Sequence, residues 1–388
     1  MNTHNYIRIS IFVAAVQFIN ALEFMIIAPV APYLLKPFNF HLNQIGILTG
    51  SYTLCAIFSG LWGFLYLDKF DKKNLLVILL FCLGVTNLLS IFCSNLYMIL
   101  AVRMLAGIFG GLAGSLGAAL LIISISEIDR GKAFSIATLA FPLVSIFGIP
   151  GGIWITQHFG YKVLFISIST IIFICLLIGY FLIPASKSTF DKTIHRHLAL
   201  DSKSILATSL LGIAQFPIYL IIPSLAIILK YNMHVADHNI PFIFMAGGLS
   251  SLFITKIFSQ LIDRFGEVKP INYSTTIFIL TLIFGTIFMC MPPIVFMSVM
   301  MGSVYMRLVA ASLITSTYPK KHQRGGFSAL QSAINNIGST IAGFLSSSIL
   351  IVKYNGTLGH VWILVLLATC SALLLPLGLY KYRSANAK

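Results

Sequence analysis

The sequence predicts an all-α polytopic membrane protein, with twelve transmembrane helices arranged as two six-helix pseudo-repeats. Three observations predict it. Of 388 residues, 58% are hydrophobic and 9% charged, whereas ordinary soluble domains carry roughly 25% charged residues. The apolar residues fall into twelve long runs, and loop motifs of the first half return about 195 residues later. At about 20 residues per spanning helix, the twelve spans use nearly the whole chain, so no soluble catalytic domain fits beside them.

The runs lie at about residues 8–35, 43–67, 74–94, 96–125, 133–157, 162–184, 204–229, 239–262, 270–291, 294–318, 326–352 and 360–380. Backbone polar groups in hydrocarbon must pair within the segment, and long uninterrupted runs do so as helices rather than as alternating barrel strands. The first run is too long for a signal-peptide core and lacks a small-residue cleavage pattern, so it reads as the first span. In the fourth, Gly107, Gly110, Gly111, Gly114 and Gly117 permit close approach of neighbouring helices. Pro150 with Gly151 and Gly152 can bend the fifth. The polar stretch near residues 186–203 is a cytoplasmic linker, dividing the chain into bundles 1–185 and 204–388. His195 and His197 belong to that linker, where solvated loop histidines are the expectation and no metal is called for.

Lysine and arginine set the orientation, because cytoplasmic loops retain positive charge. With both termini inside, 19 of the 25 basic residues are cytoplasmic and four, Lys36, Lys162, Lys230 and Lys353, are outside. The remaining two, Arg103 and Arg307, lie within spans. The net charge of +15 is therefore a matter of topology, and nucleic acid is not a partner, since no water-facing module collects the charge. The six cysteines, Cys55, Cys82, Cys93, Cys175, Cys290 and Cys370, show no CxxC or CxxH spacing, so neither a disulfide framework nor a metal site is expected.

The repeat is carried by two motifs. Asp68-Lys69-Phe70-Asp71-Lys72-Lys73 after the second span returns as Asp263-Arg264-Phe265-Gly266-Glu267 after the eighth, and Arg130-Gly131-Lys132-Ala133-Phe134-Ser135 before the fifth returns as Arg324-Gly325-Gly326-Phe327-Ser328 before the eleventh. Two copies at half the chain length imply two halves that rock about a midplane site. A carboxylate is stabilised near a helix N-terminus, so Asp68 can hold the start of the eleventh span and Asp263 the start of the fifth. Solvated loop charges that only fix topology are the simpler reading of the same residues.

With these motifs the chain resembles the major facilitator superfamily over nearly its whole length. The Asp68 loop is similar to that family's signature loop between spans two and three, with Phe64 where the family usually has Gly. Arg103-Met104-Leu105-Ala106-Gly107 resembles the fourth-span Arg and Gly pattern. Gly148-Ile149-Pro150-Gly151-Gly152 and Glu23-Phe24-Met25-Ile26-Ile27-Ala28-Pro29 resemble the fifth-span and first-span motifs of the sugar-efflux and drug-efflux branch. The resemblance implies a proton-driven efflux transporter, monomeric, in the inner membrane, with a cytoplasmic gate formed by Asp68, Lys72, Lys73, Arg130, Asp263, Arg264 and Arg324. It implies no cofactor and no enzyme activity.

A charge within the membrane is costly and by default functional. Among the ten carboxylates only Glu23 lies deep in a span. It can carry the coupling proton; a permanent pair with an arginine, or direct contact with a cationic substrate, are the other roles open to it. Arg103 and Arg307 need acceptors, and one deep carboxylate cannot serve both. That surplus suggests an anionic or polyhydroxylated substrate, while a structural or relay role for Arg103 fits equally. Gln17 and Asn20 share one face of span one with Glu23, Gln215 lies on span seven, and Gln331, Asn335 and Asn336 lie on span eleven. They make up a candidate substrate cavity or, singly, interhelical polar glue. No Walker-type Gly-Lys-Ser/Thr loop occurs, so transport driven by ATP on this chain is not expected. Export of a drug, a sugar or a secreted metabolite such as a siderophore fits, with uptake on the same fold or a transporter-like sensor as the alternatives.

Overall fold

The computed structural model describes residues 3–41, 44–66, 70–125, 133, 136, 137, 139–182, 202–265, 268–316, 324–353 and 357–386. Of the linker, only Ser202 and Lys203 fall within this set; His195 and His197 lie outside it.

Span one is broken rather than continuous. It runs from Thr3 to Met25, bends at Ile26 and resumes as Ile27–Phe38. Pro29 has no N–H to give to the Met25 carbonyl, so the hydrogen-bond ladder is interrupted at that step, while Ile26 and Val30 on either side still bond Leu22 and Ile26 at 2.9 and 3.2 Å. The segment stops at Asn39, which turns left-handed with φ of 49°.

Span two is Ile45–Tyr66, and span three is Lys72–Leu89. Span three is capped by Asp71, whose carboxylate accepts from the Asn74 amide at 2.8 Å. Span four, Leu96–Ser124, is capped in the same way by Asn95, which accepts from the Met98 amide at 2.9 Å. Span five joins Ala140–Leu143 to Ile149–Phe159 through a π turn at Val144–Gly148, in which the Ile149 amide bonds the Val144 carbonyl. The missing N–H of Pro150 lies immediately after, and widened turns of this kind form where the regular ladder loses a donor. Span six is Tyr161–Leu182.

The second half repeats the scheme. Span seven is Ser202–Ile227 with a π turn at Ile228–Asn232, span eight Ile240–Phe265, and span nine Val268–Leu282 with a π turn at Ile283–Ile287. Spans ten, eleven and twelve are Pro293–Ser316, Arg324–Ile349 and Val361–Asn386, the last two separated by a small hairpin pairing Ile351–Val352 with Leu358–Gly359. Among the described residues, ten of these helices are long and apolar enough to cross a membrane. The eighth and eleventh are 26 residues each, and the eleventh owes its lower hydropathy to amides and serines such as Gln331, Asn335, Asn336, Ser339 and Ser347.

Small residues position the helices. A Cβ on Gly107 would collide with the Tyr52 carbonyl, so span two approaches span four at backbone distance, and one on Gly114 would collide with the side-chain amide of Asn20, which span one lays against span four. The two halves touch along two related seams. Span two meets span eleven, where a Cβ on Gly343 would stand 2.6 Å from the Gly46 carbonyl, Ser347 accepts the Ile47 amide at 3.0 Å, and the Thr53 and Thr340 hydroxyls lie 2.8 Å apart. Span five meets span eight, where a Cβ on Gly248 would stand 2.8 Å from the Ser145 carbonyl carbon. In lipid, where apolar helix faces gain little from meeting each other, such close packing and hydroxyl pairs supply much of the association. Phe181, Leu377 and Tyr380 remain exposed on the outside of the bundle, facing the lipid.

Candidate functional site

Glu23 lies in the last turn before the break in span one and is fully buried, and Arg103, two turns into span four, is 2% exposed. Arg103 Nη1 donates to Glu23 Oε2 at 3.0 Å, and Nη2 donates to the Glu23 main-chain carbonyl at 2.6 Å. The guanidinium carbon also stands 4.8 Å from the centroid of Tyr52 of span two, an arrangement in which the ring face attracts the cation. Asn87 of span three adjoins the same carboxylate while its own amide donates to the Leu83 carbonyl at 3.0 Å. Four spans thus converge on one charge pair. Among the described residues, Glu23 Oε1 and Arg103 Nε have no hydrogen-bond partner. The pair is neutral as drawn, and a proton added to Glu23 would leave one net positive charge in a site closed to water.

The next residue, Phe24, borders a narrow cleft between the halves. It is lined by Phe24 and Met25 of span one, Thr49 of span two, Tyr219, Ile222 and Pro223 of span seven, and Ser339 of span eleven. Phe24 meets Tyr219 edge to face, centroids 5.8 Å apart and planes at 85°, and it lies 6.3 Å from Tyr52. An aromatic chain therefore runs from the Arg103 guanidinium across the cleft to the second half. Tyr219 is fixed by two amides: its hydroxyl donates to Gln215 Oε1 and accepts from Asn335 Nδ2 at 3.0 Å. Asn335 Oδ1 is buried without a partner among the described residues.

The other residues singled out from sequence are distributed around this centre. Gln17 donates to the Gly114 carbonyl at 2.9 Å, and Asn20 accepts from the Tyr52 hydroxyl at 3.0 Å, so both face spans two and four within the first half. Gln331 lies one turn before Asn335, and the Asn336 carbonyl accepts from Thr340 at 2.8 Å. Arg307 is 1% exposed between spans ten and nine; it donates to Thr275 Oγ1 at 3.4 Å and stands 5.3 Å from the Phe278 centroid. Of the gate residues, Lys72 is buried at the start of span three, and Lys73 Nζ lies 5.2 Å from the Tyr180 centroid. Asp68 and Arg130 lie outside the described residues. Asp263 and Arg264 lie in the last turn of span eight and Arg324 opens span eleven, their side chains being outside the described set.

The sequence reading missed Phe24, Tyr52, Asn87 and Tyr219. An aromatic residue in an apolar run looks the same whether it faces lipid or a cleft. Asn87 carried a usable signal, as an amide within the apolar run 74–94, although it stands in the last turn of span three.

The sequence profile of the Major Facilitator Superfamily matches residues 13–212, just over half of the chain. The chain belongs to this superfamily. Among its superfamily relatives, a probable sugar efflux transporter of Pasteurella multocida is 22% identical over 273 residues, which is 69% of this chain and 66% of that protein. The class B tetracycline resistance protein of Escherichia coli is 23% identical over 384 residues, 93% of each. The chain spans less than two thirds of the first of these relatives, and 34% and 37% of two uncharacterized Bacillus subtilis transporters of the superfamily. Among solved structures, the partially occluded inward-open xylose transporter XylE of E. coli superposes with a TM-score of 0.73 at 14% identity, covering 98% of both chains. A bacterial homolog of the human lysosomal transporter Spinster, inward-facing and occupied, superposes with a TM-score of 0.72 at 12% identity, covering 100% of this chain and 98% of that one. At these identities the superpositions establish the fold alone, the multi-pass helical fold of the major facilitator type.

Proposed function

We propose that this transporter exports a small organic molecule across the cytoplasmic membrane in exchange for protons, by alternating access. The buried pair of Glu23 and Arg103 carries the reading. Among the described residues, it is the one place where a deep carboxylate, a counter-charge and a cleft between the halves adjoin. In this mechanism unprotonated Glu23 is neutralised by Arg103. Proton binding dissolves the pair, leaving Arg103 on the Tyr52 ring and the Glu23 carbonyl and freeing the break in span one to shift. Phe24, next in the chain, transmits the shift to Tyr219 and so to the substrate cleft. Gln215 and Asn335 orient Tyr219, and Gln331 and Asn336 extend the polar face of span eleven.

Orientation follows from the excess of basic residues, which places both termini in the cytoplasm. The halves 1–185 and 204–388 then rock about the linker. Asp68 with Lys72, Lys73 and Arg130, and Asp263 with Arg264 and Arg324, gate the cytoplasmic side. The names of two relatives, a sugar efflux transporter and a tetracycline resistance protein, support export of a sugar or an amphipathic ring compound. Uptake of an anionic metabolite is the second reading, favoured by Arg307, whose Nη2 is buried without a partner among the described residues.

Proteoliposomes loaded with the pH dye pyranine test the proposal, with tetracycline and lactose as probes. Addition of a transported probe should move protons in the opposite direction, and an imposed proton gradient should drive the probe uphill. Probe flux that only follows its own gradient, with no proton movement, contradicts proton exchange.

A further inference from the structure

At the end of the bundle away from the chain termini, a polar cluster joins the two halves and takes no part in the mechanism above. Tyr33 lies midway along the outer segment of span one, Ile27–Phe38, and Gln157 in the last turn of span five, both in the first half. Lys230 and Asp237 lie in the second half, at the end of span seven and just before span eight. Gln157 Nε2 donates to the Tyr33 hydroxyl at 2.8 Å and to the Asp237 carbonyl at 2.6 Å. The Tyr33 hydroxyl donates to Asp237 Oδ1 at 3.3 Å. Lys230 Nζ stands 2.8 Å from Asp237 Oδ1 and 2.9 Å from Oδ2, and 4.8 Å from the Tyr33 centroid. Two hydrogen bonds and one cation–ring contact therefore cross between the halves here, outboard of the seam at Gly46 and Gly343.

The second-half members are held in place independently of the first half. Asn232, in the π turn that carries Lys230, pairs with Leu358 of the hairpin before span twelve through two bonds, Nδ2 to carbonyl and amide to Oδ1, each 3.0 Å. Lys230 then fixes the Asp237 carboxylate from its own half. A preorganised acceptor facing two donors from the other half is the arrangement of a clasp, since little side-chain freedom remains to be lost when the halves close.

We propose that Tyr33, Gln157 and Asp237 form a clasp that holds this end shut, and that its strength sets how often the transporter opens to that side. The proposal rests on the alternating-access reading. A neutral hydrogen bond contributes modestly to a conformational equilibrium, so losing one crossing bond should raise the open population about two- to tenfold. Gln157→Ala and Tyr33→Phe each remove two bonds of the cluster, one of them crossing between the halves, and should act alike. Lys230→Ala, which loosens the acceptor and loses the crossing ring contact but leaves both crossing hydrogen bonds, should act less.

The test uses the full chain with its six cysteines replaced by serine and one thiol introduced by Ser339→Cys, in the cleft beneath the clasp. Right-side-out vesicles, their sidedness checked by a C-terminal tag, present the clasp end to the membrane-impermeant thiol reagent MTSET. Its labelling rate then scales with opening at that end. The expected result is a two- to tenfold faster rate in Tyr33→Phe and Gln157→Ala, with no increase in inverted vesicles. A rate equal to the parent's in both variants overturns the clasp and leaves alternating access standing. A rise from both sides overturns it too, since that marks general loosening. Absence of labelling in parent and variants alike, with the thiol reactive in denaturant, overturns the alternating-access reading and the clasp with it.

Discussion

Arg103 holds Glu23 by two separate atoms, the carboxylate through Nη1 at 3.0 Å and the main-chain carbonyl through Nη2 at 2.6 Å. The guanidinium therefore grips the side chain and the backbone of span one together, immediately before the helix breaks at Ile26. Loss of the carboxylate charge releases one contact and keeps the other, which is the behaviour expected of a switch rather than of a simple strut.

Removing the arginine should cost more than removing the charge of its partner. Arg103→Ala strands a carboxylate in a dry site, and breaking a buried pair in this way costs about 3–5 kcal/mol. Arg103→Lys keeps the charge but cannot hold two acceptors in the same planar fork, and should fall between Ala and the parent. Thermal unfolding in detergent, followed by circular dichroism, should rank the melting temperatures parent, Lys, Ala.

Two glycines predict opposite kinds of damage. Gly107 lies against the Tyr52 carbonyl inside one half, whereas Gly46 lies against the Gly343 carbonyl between halves. Gly107→Ala overpacks a permanent contact and should destabilise the fold by about 1–3 kcal/mol. Gly46→Ala should leave the melting temperature nearer the parent's and raise reagent access to the cleft, because the seam it strains is one that opens under the proposed alternating access. Paired melting and thiol-labelling measurements check the contrast.

Tyr219 is held at its hydroxyl by Gln215 and Asn335. Tyr219→Phe removes the hydroxyl and leaves two amides unpaired, and Asn335→Ala removes one support. Each net hydrogen bond is worth about 0.5–1.5 kcal/mol, so the KM for a transported probe should rise roughly two- to tenfold with a smaller change in kcat. Initial-rate kinetics in proteoliposomes separate the two.

Phe24 links Glu23, the proposed proton site, to the cleft through its ring contacts with Tyr52 and Tyr219. Phe24→Ala should therefore lower the number of protons moved per probe molecule more than it lowers downhill probe flux. Simultaneous dye and probe measurements give that ratio directly.

The twelve spans were legible because the bilayer demands long apolar runs, and the two-half repeat because loop motifs return at half the chain length. Glu23 stood out for the same reason, as the one carboxylate deep in a span, and the glycines of span four announced its close packing against Tyr52. The break at Ile26 was not anticipated, although Pro29 carries its cause. Phe24, Tyr52 and Tyr219 could not be assigned, since hydropathy does not record which side of a helix a ring faces. Gln17 and Asn20 share the face of Glu23, yet they turn toward spans two and four, where Gly110 and Gly114 make room for them. The clasp residues lay in loops or at span ends, where a lysine was counted for topology and the facing Tyr33 and Gln157, over a hundred residues apart, gave no sign of meeting.

The account stands most directly on the titration of Glu23, and Glu23→Gln in proteoliposomes measures it. Gln keeps the shape and an acceptor for Arg103 but cannot exchange a proton. The expected result is loss of uphill, gradient-driven movement of the probe with substantial probe-for-probe exchange retained. Full gradient-driven transport by Glu23→Gln would contradict the account.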